Sequence, residues 1–419
     1  MLGCVLFPGA APQPTVIITD TRDDLPSDPL NEPRPETRPR WQVLAERLDG
    51  RVGAHLPEPL RALTTLGREI PEVDTFAIVT FAPVPLLILG ALFGGVLPWI
   101  ALLYITALIF ALDTLIARAA PDAPEGSEFP AADTLSVALA GAHFVALLAG
   151  VAAVSGATGL GAGARIALFL GFGLFFGQVS NSSAHELIHR TSKPLFLLGK
   201  WVYISLLFGH HTSAHRLVHH RFVATPDDPN SARFGEGFWV FAPRAWVGSF
   251  IAGYEMERNL RARAATGLAG RIAALNPYVS YTLGGLWFIV LFGLIFGLPG
   301  VAAYLGLCLY AQIQLLLSDY VQHYGLERAR RDEASYEPVT AAHSWDAAAP
   351  VSALWMLNAP RHSDHHAHPG RVYPALQLGD LAAPGRPVLP RSLPAMAVLA
   401  LVPPLWRRVM DRRVRALRG

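Results

Sequence analysis

Two cysteines in 419 residues, Cys4 and Cys308, are too few for a disulfide framework or a cysteine-ligated metal module. Charge is scarce as well. Asp, Glu, Lys and Arg make up 16% of the chain, whereas 52% is hydrophobic. A typical soluble domain is about 25% charged, so an ordinary water-soluble globule is excluded. A net charge of +2 offers nucleic acid no electrostatic reason to bind. Met1 to Pro12 has no basic region of the kind that opens a secretory signal. Pro12, Pro14, Pro26, Pro29, Pro33, Pro35 and Pro39 alternate with charged and small residues, and no apolar run there reaches spanning length. Residues 1–70 are therefore expected to be a poorly ordered, Pro-rich segment. A membrane domain is expected over 71–411, followed by a basic tail over 412–419.

From Phe76 onward the chain carries long, almost uncharged stretches. Six of them, 76–93, 98–116, 135–155, 166–182, 278–296 and 301–317, approach the ~20 residues that cross a hydrocarbon core. Two shorter ones, 195–208 and 396–406, read as re-entrant or interfacial. The connections at 94–97, 156–163 and 297–300 lack Lys and Arg. Arg165, flanking the second, is the one exception nearby; opposite segments carry Arg118, Arg190, Lys193, Lys200, Arg258, Arg261, Arg263, Arg328, Arg330 and Arg331, and the tail adds Arg407, Arg408, Arg412, Arg413, Arg415 and Arg418. The positive-inside rule then predicts an all-α integral membrane protein of six transmembrane helices with both termini cytoplasmic.

The abundant feature is histidine. Thirteen of fifteen lie between His185 and His368. Nine stand in four clusters: His185 and His189; His215, His219 and His220; His323 alone; and His362, His365 and His366. The predicted topology collects all four on the cytoplasmic side, as a helical histidine cap. Spacings of three and four residues place imidazoles on one helix face, so each cluster is expected to point its nitrogens in one direction. Glu186 and Asp364 lie among them, and His343 nearby can orient a ligand. His143, in mid-span, is expected to pack or hydrogen-bond between helices. Nine imidazoles exceed what one ion takes, so two ions with four or five nitrogens each is the natural count. His185-Glu186-Leu187-Ile188-His189 taken alone matches a zinc-protease pattern, but that chemistry needs only two or three ligands. A metal transporter would need a path of ionisable residues through the spans, where only Asp113 and His143 offer themselves.

Quoted in full, these segments resemble the membrane-bound alkane 1-monooxygenases, within the wider family of membrane fatty-acid desaturases and hydroxylases. The segments are His185-Glu186-Leu187-Ile188-His189-Arg190, then His215 through His219-His220 to Thr225-Pro226-Asp227-Asp228-Pro229. Tyr320-Val321-Gln322-His323-Tyr324-Gly325-Leu326 and Arg361-His362-Ser363-Asp364-His365-His366-Ala367-His368-Pro369 complete the set. The likeness covers roughly residues 75–411. It implies two iron ions held by His185, His189, His215, His219, His220, His323, His362, His365 and His366. It also implies O₂, an apolar substrate drawn from the bilayer, and a bacterial inner-membrane setting. Electrons would come from rubredoxin and its reductase; the scarcity of cysteine excludes a fused rubredoxin. The implied reaction is hydroxylation of a terminal methyl group, the alternative being another apolar substrate such as an alkyl-aromatic methyl, an acyl chain or an isoprenoid. The chain departs from the pattern at Ala214, Val218, Gln322, Asp346 and Ala359-Pro360. These departures mark a divergent subgroup and bear on the surroundings of the ligands, Gln322 among them.

Overall fold

A computed structural model describes residues 70–116, 119–262, 275–333 and 335–418, which fall within one compact unit. The expected Pro-rich segment, with His55, lies outside the described residues apart from Ile70. Among the described residues the structure is helical, with two isolated β-bridges, Arg330–Tyr336 and Asp346–Val388, and no strand.

Five helices are long and apolar enough to cross a membrane: α1 (Val73–Phe93), α2 (Leu97–Ile116), α3 (Ala131–Ser155), α4 (Ala162–Ile188) and a fifth, Tyr278–His323. Between α4 and the fifth lie α5 (Lys193–Ser205) and α6 (Phe238–Arg261). Tyr278–His323 is numbered α7 and spans 46 residues, covering both of the last two expected spans. It is not straight. Gly297 adopts φ 65°, ψ −162°, a left-handed conformation that a side chain disfavours, and Pro299 follows it. The rings of Phe292 and Tyr304 lie 4.8 Å apart, whereas twelve residues of unbroken helix would separate them by about 18 Å. The chain therefore turns back on itself at Gly297. Its two arms, 278–296 and 298–323, run side by side.

Small residues let the helices touch. A methyl group on Gly173 would come within 2.0 Å of Tyr310, and one on Gly177 within 2.4 Å of Gln314. Close packing of α4 on the 298–323 arm is thus the role of these glycines. The stretch expected at 195–208 is α5. Its Gly199 lies against the Ala184 carbonyl, so α5 packs along the end of α4. Beyond it Ser205 reaches the middle of α3, its Oγ 2.8 Å from His143 Nε2, and its carbonyl accepts from Tyr304 Oη at 2.7 Å. His143 thereby takes the inter-helix hydrogen-bonding role expected of it.

After α7 come the short helices α8 (Pro350–Trp355) and α9 (His362–Ala367), then α10 (Leu393–Ala400) and α11 (Pro403–Arg418). The basic stretch 412–418 continues α11 rather than starting a separate tail. Trp406, Met410 and Val414, four residues apart, form the buried stripe of α11, and its arginines occupy the remaining faces. Trp406 packs on Tyr320 and Tyr324, and Tyr324 Oη donates to Asp411 at 2.6 Å, fastening α11 beneath the end of α7.

Candidate metal centre

The nine clustered histidines come from four places and meet in two sets. One holds His185, His189, His215, His220 and His365; the other holds His219, His323, His362 and His366. Within each set the nitrogens lie within 4.8 Å of one another. The end of α4 supplies His185 and His189, the end of α7 supplies His323, and α9 supplies His362, His365 and His366.

The expectation that each cluster points one way holds for His185 and His189 only. His215–His219 is a π-helical turn, and the backbone N–H of His220 donates to the His215 carbonyl. That wider i→i+5 turn stacks His215 above His220, their Nε2 atoms 2.9 Å apart, and turns His219 into the other set. A second π-helical segment, Phe175–Ser180, lies in α4 just before the first cluster. In α9, His362 and His366 share a face, Nε2 atoms 3.1 Å apart, while His365 projects to His220 at 3.0 Å. The second and third clusters are therefore both divided between the two sets.

The donor chemistry calls for cations. His215 Nε2 lies 2.8 Å from His185 Nε2 and 2.9 Å from His220 Nε2, and His362 Nε2 is shared in the same way by His323, at 3.0 Å, and His366. An imidazole nitrogen can donate one hydrogen bond or accept one, so a shared nitrogen cannot satisfy both neighbours. His189 Nε2 and His219 Nε2 are buried with no partner. A metal–imidazole bond of about 2.1 Å places ligands at right angles about 3.0 Å apart, and tetrahedral ligands about 3.4 Å apart. The observed 2.8–3.1 Å separations are of the size expected for nitrogens that share one ion. Burial, reinforced by neighbouring imidazoles, holds His189, His215, His220, His362, His365 and His366 well below the usual imidazole value. They are neutral at pH 7, with lone pairs free. His219 is the exception. Burial pushes it down, but the carboxylates of Asp228, 2.8 Å from Nδ1, and Asp319 together outweigh this and raise it.

Asp228 fixes the His219 tautomer: Nδ1–H donates to the carboxylate, so Nε2 faces the set. Asp228 is in turn held by Ser231 Oγ at 2.7 Å and the Asn230 N–H at 3.0 Å. Its role was not read from the sequence, where the available signal was the Asp227-Asp228 pair eight and nine residues beyond His219. His323 Nδ1 donates to the His343 carbonyl at 3.2 Å, so His343 orients the His323 ring through its backbone. The His343 ring faces the other way, to Glu337. The other candidate supports act at one remove. Glu186 pairs with Arg190 at 2.7 Å and accepts from the Tyr373 N–H. Asp364 turns outward to Arg371, His368 and the Gln377 N–H. Gln322 donates to the Ala359 carbonyl at 3.0 Å, so two of the departures from the family pattern touch each other. Of the remaining histidines, His210 packs on Trp246 and Phe250, and His211 on Tyr203 and Phe208.

Two arginines anchor α9. Arg361, buried beside His362, donates to Asp122 at 2.5 Å and to the carbonyls of Ala120 and Leu376. Asp346 accepts from the Ser363 N–H at 2.9 Å, from Ser363 Oγ at 2.6 Å and from Arg386 at 2.5 Å. Burial outweighs these partners and pushes the Asp346 carboxyl up to about 6.

The family model described as fatty acid desaturase matches residues 160–400. Alkane 1-monooxygenase 2 of Pseudomonas aeruginosa is 32% identical over 340 residues, covering 78% of this chain and 87% of the relative. Alkane 1-monooxygenase 2 of Alcanivorax borkumensis is 31% identical over 323 residues, covering 76% and 83%. A weaker likeness, 25% identity over 236 residues (53% of this chain, 57% of the relative), is to the hydroxylase component of a xylene/toluene monooxygenase from Pseudomonas putida. With its helical membrane architecture and its two histidine sets, the chain belongs to the alkane 1-monooxygenase family of integral membrane oxidoreductases, within the fatty acid desaturase superfamily.

Proposed function

We propose that the protein is a di-iron monooxygenase that hydroxylates the terminal methyl of medium- or long-chain alkanes. The observation that carries the reading is the division of nine imidazoles, six buried and three half-buried, into a set of five and a set of four. Two iron ions are the assigned occupants, one per set. Bound iron supplies the reduction of O₂ and the attack on an unactivated C–H bond, which no side chain can achieve. The balance is one alkane, one O₂, two electrons and two protons to one primary alcohol and one water. Reduced rubredoxin, regenerated by its reductase, is the proposed electron source.

The chain's own contribution is to hold and enclose. Asp228 and the His343 carbonyl set which nitrogen of His219 and His323 faces inward. Buried Trp345 and Trp355 help seal the protein side against water. An apolar cavity of about 680 Å³ between α2, α4, the 298–323 arm and α10 is the proposed substrate site, reached from the bilayer past Phe110 and Val398. Six crossings follow if the arms of α7 each traverse the bilayer. Both termini and the histidine sets then lie on the cytoplasmic side of a bacterial inner membrane, as the arginines predict.

The experiment is conversion of alkanes under ¹⁸O₂ by cells supplying rubredoxin and its reductase. Labelled primary alcohol is expected; iron-loaded protein that labels no apolar substrate overturns the reading. Likeness to the xylene/toluene enzyme favours a second substrate, an alkyl-aromatic methyl group, so xylene belongs in the same assay.

A further inference from the structure

The cavity proposed as the substrate site is lined mainly by apolar side chains, among them Ile109, Leu174, Ile313 and Leu317, but Gln178 and Gln314 also face it. A plain hydrocarbon gives an amide nothing to bond, and leaving amide hydrogens facing apolar matter is costly. The orientation of both amides is fixed from behind. Trp355 Nε1 lies 2.6 Å from Gln178 Oε1, and an indole nitrogen can only donate. Gln178 must therefore present its oxygen to Trp355 and its NH₂ to Gln314, whose Oε1 accepts at 3.2 Å. That commits the Gln314 oxygen. Its own NH₂ is left over, and among the described residues none accepts from it. Asp113 also lines the cavity; its Oδ1 accepts from the N–H groups of Val351 and Ser352 at the start of α8, while its Oδ2 is buried without a partner, as a hydroxyl-bearing occupant would suit.

We infer that the preferred occupant of this cavity is an apolar chain carrying an acceptor oxygen, of the ether, carbonyl or hydroxyl kind, to which Gln314 Nε2 donates. The inference rests on reading the cavity as the substrate site and adds to the alkanes of that reading a favoured class, alkyl chains that carry one acceptor oxygen. Gln314 is then a specificity-determining residue, positioned by the relay from Trp355 through Gln178.

The test measures binding to metal-free protein in bilayer nanodiscs, so it is independent of turnover. The probes are 1-methoxytetradecane and hexadecane, equal in chain atoms and differing by one acceptor. After correction for partition into the lipid, the ether is expected to bind about ten-fold more tightly. Gln314→Leu should bring the ratio close to one. Gln314→Met, closer in shape, serves if the leucine variant fails to fold. Equal affinities in the wild type, or a preference that persists in both variants, overturns the inference and leaves the monooxygenase reading standing. Saturable binding of neither probe removes the cavity as the substrate site and the inference with it, while ¹⁸O₂ labelling tests the chemistry separately.

Discussion

Replacing Asp346 with asparagine removes the only carboxylate that pairs with Arg386 among the described residues. Both side chains are sequestered, 0% and 9% exposed, so the guanidinium left behind cannot move to water without disrupting α9. Its other acceptors, the Leu378 carbonyl and Ser363 Oγ, are neutral. Breaking a buried pair from one side costs about 3–5 kcal/mol, chiefly because a charge is stranded. The reverse variant, Arg386→Met, strands the carboxylate instead and should cost a similar amount. Removing both charges at once should cost far less, since a well-packed neutral replacement of a buried pair is often close to neutral. The consequence reaches the metal centre because Asp346 holds Ser363, which stands between His362 and His365. The assay is a double-mutant cycle on purified protein, read as thermal unfolding and as iron retained per chain after dialysis. Both single variants should lose stability and iron, and D346N/R386M should recover most of each. Additive losses in the double variant, or unchanged iron in D346N, would refute the claim that this pair positions α9.

Three further outcomes follow from the geometry. Asp228→Asn should weaken metal retention in the four-histidine set by about 10–100-fold and spare the five-histidine set, so metal titration should resolve one tight and one weakened site. His365→Ala and His366→Ala, although adjacent in sequence, should each destabilise a different iron; ⁵⁷Fe spectra of the two variants should retain complementary signals, and identical spectra would contradict the division of α9. Gly177→Ala drives a methyl into Gln314 at 2.4 Å and should cost about 1–3 kcal/mol, visible as a lowered melting temperature in detergent.

Much of this protein was legible in the sequence because two signals are dense there. Long uncharged runs announce apolar helices, and histidines at helical spacing announce a candidate metal centre. The division of those histidines into two sets was hidden. A four-residue spacing implies a shared face only in an α-helix, and the π turn at His215–His219 replaces that register with one of five. Gly297 was legible as a connection, but not as a turn made by one left-handed residue within otherwise continuous helix. The supporting groups were harder still. Asp228, Asp346 and Arg386 reach the histidines or their neighbours across loops whose path no periodicity encodes. Glu186 and Asp364 adjoin ligands in sequence, yet their carboxylates serve Arg190 and Arg371. Adjacency in a helix sends neighbouring side chains about 100° apart, which carries His365 and His366 into different sets and leaves the partners of a neighbouring acid to the surrounding chain.

The proposed chemistry requires two irons in unequal surroundings. Mössbauer spectroscopy of protein loaded with ⁵⁷Fe, together with metal analysis, measures this. Two irons per chain giving two distinct signals of equal area is the predicted result, one from the five-histidine set and one from the four. A single iron per chain, one signal only, or preferential filling by zinc would contradict it.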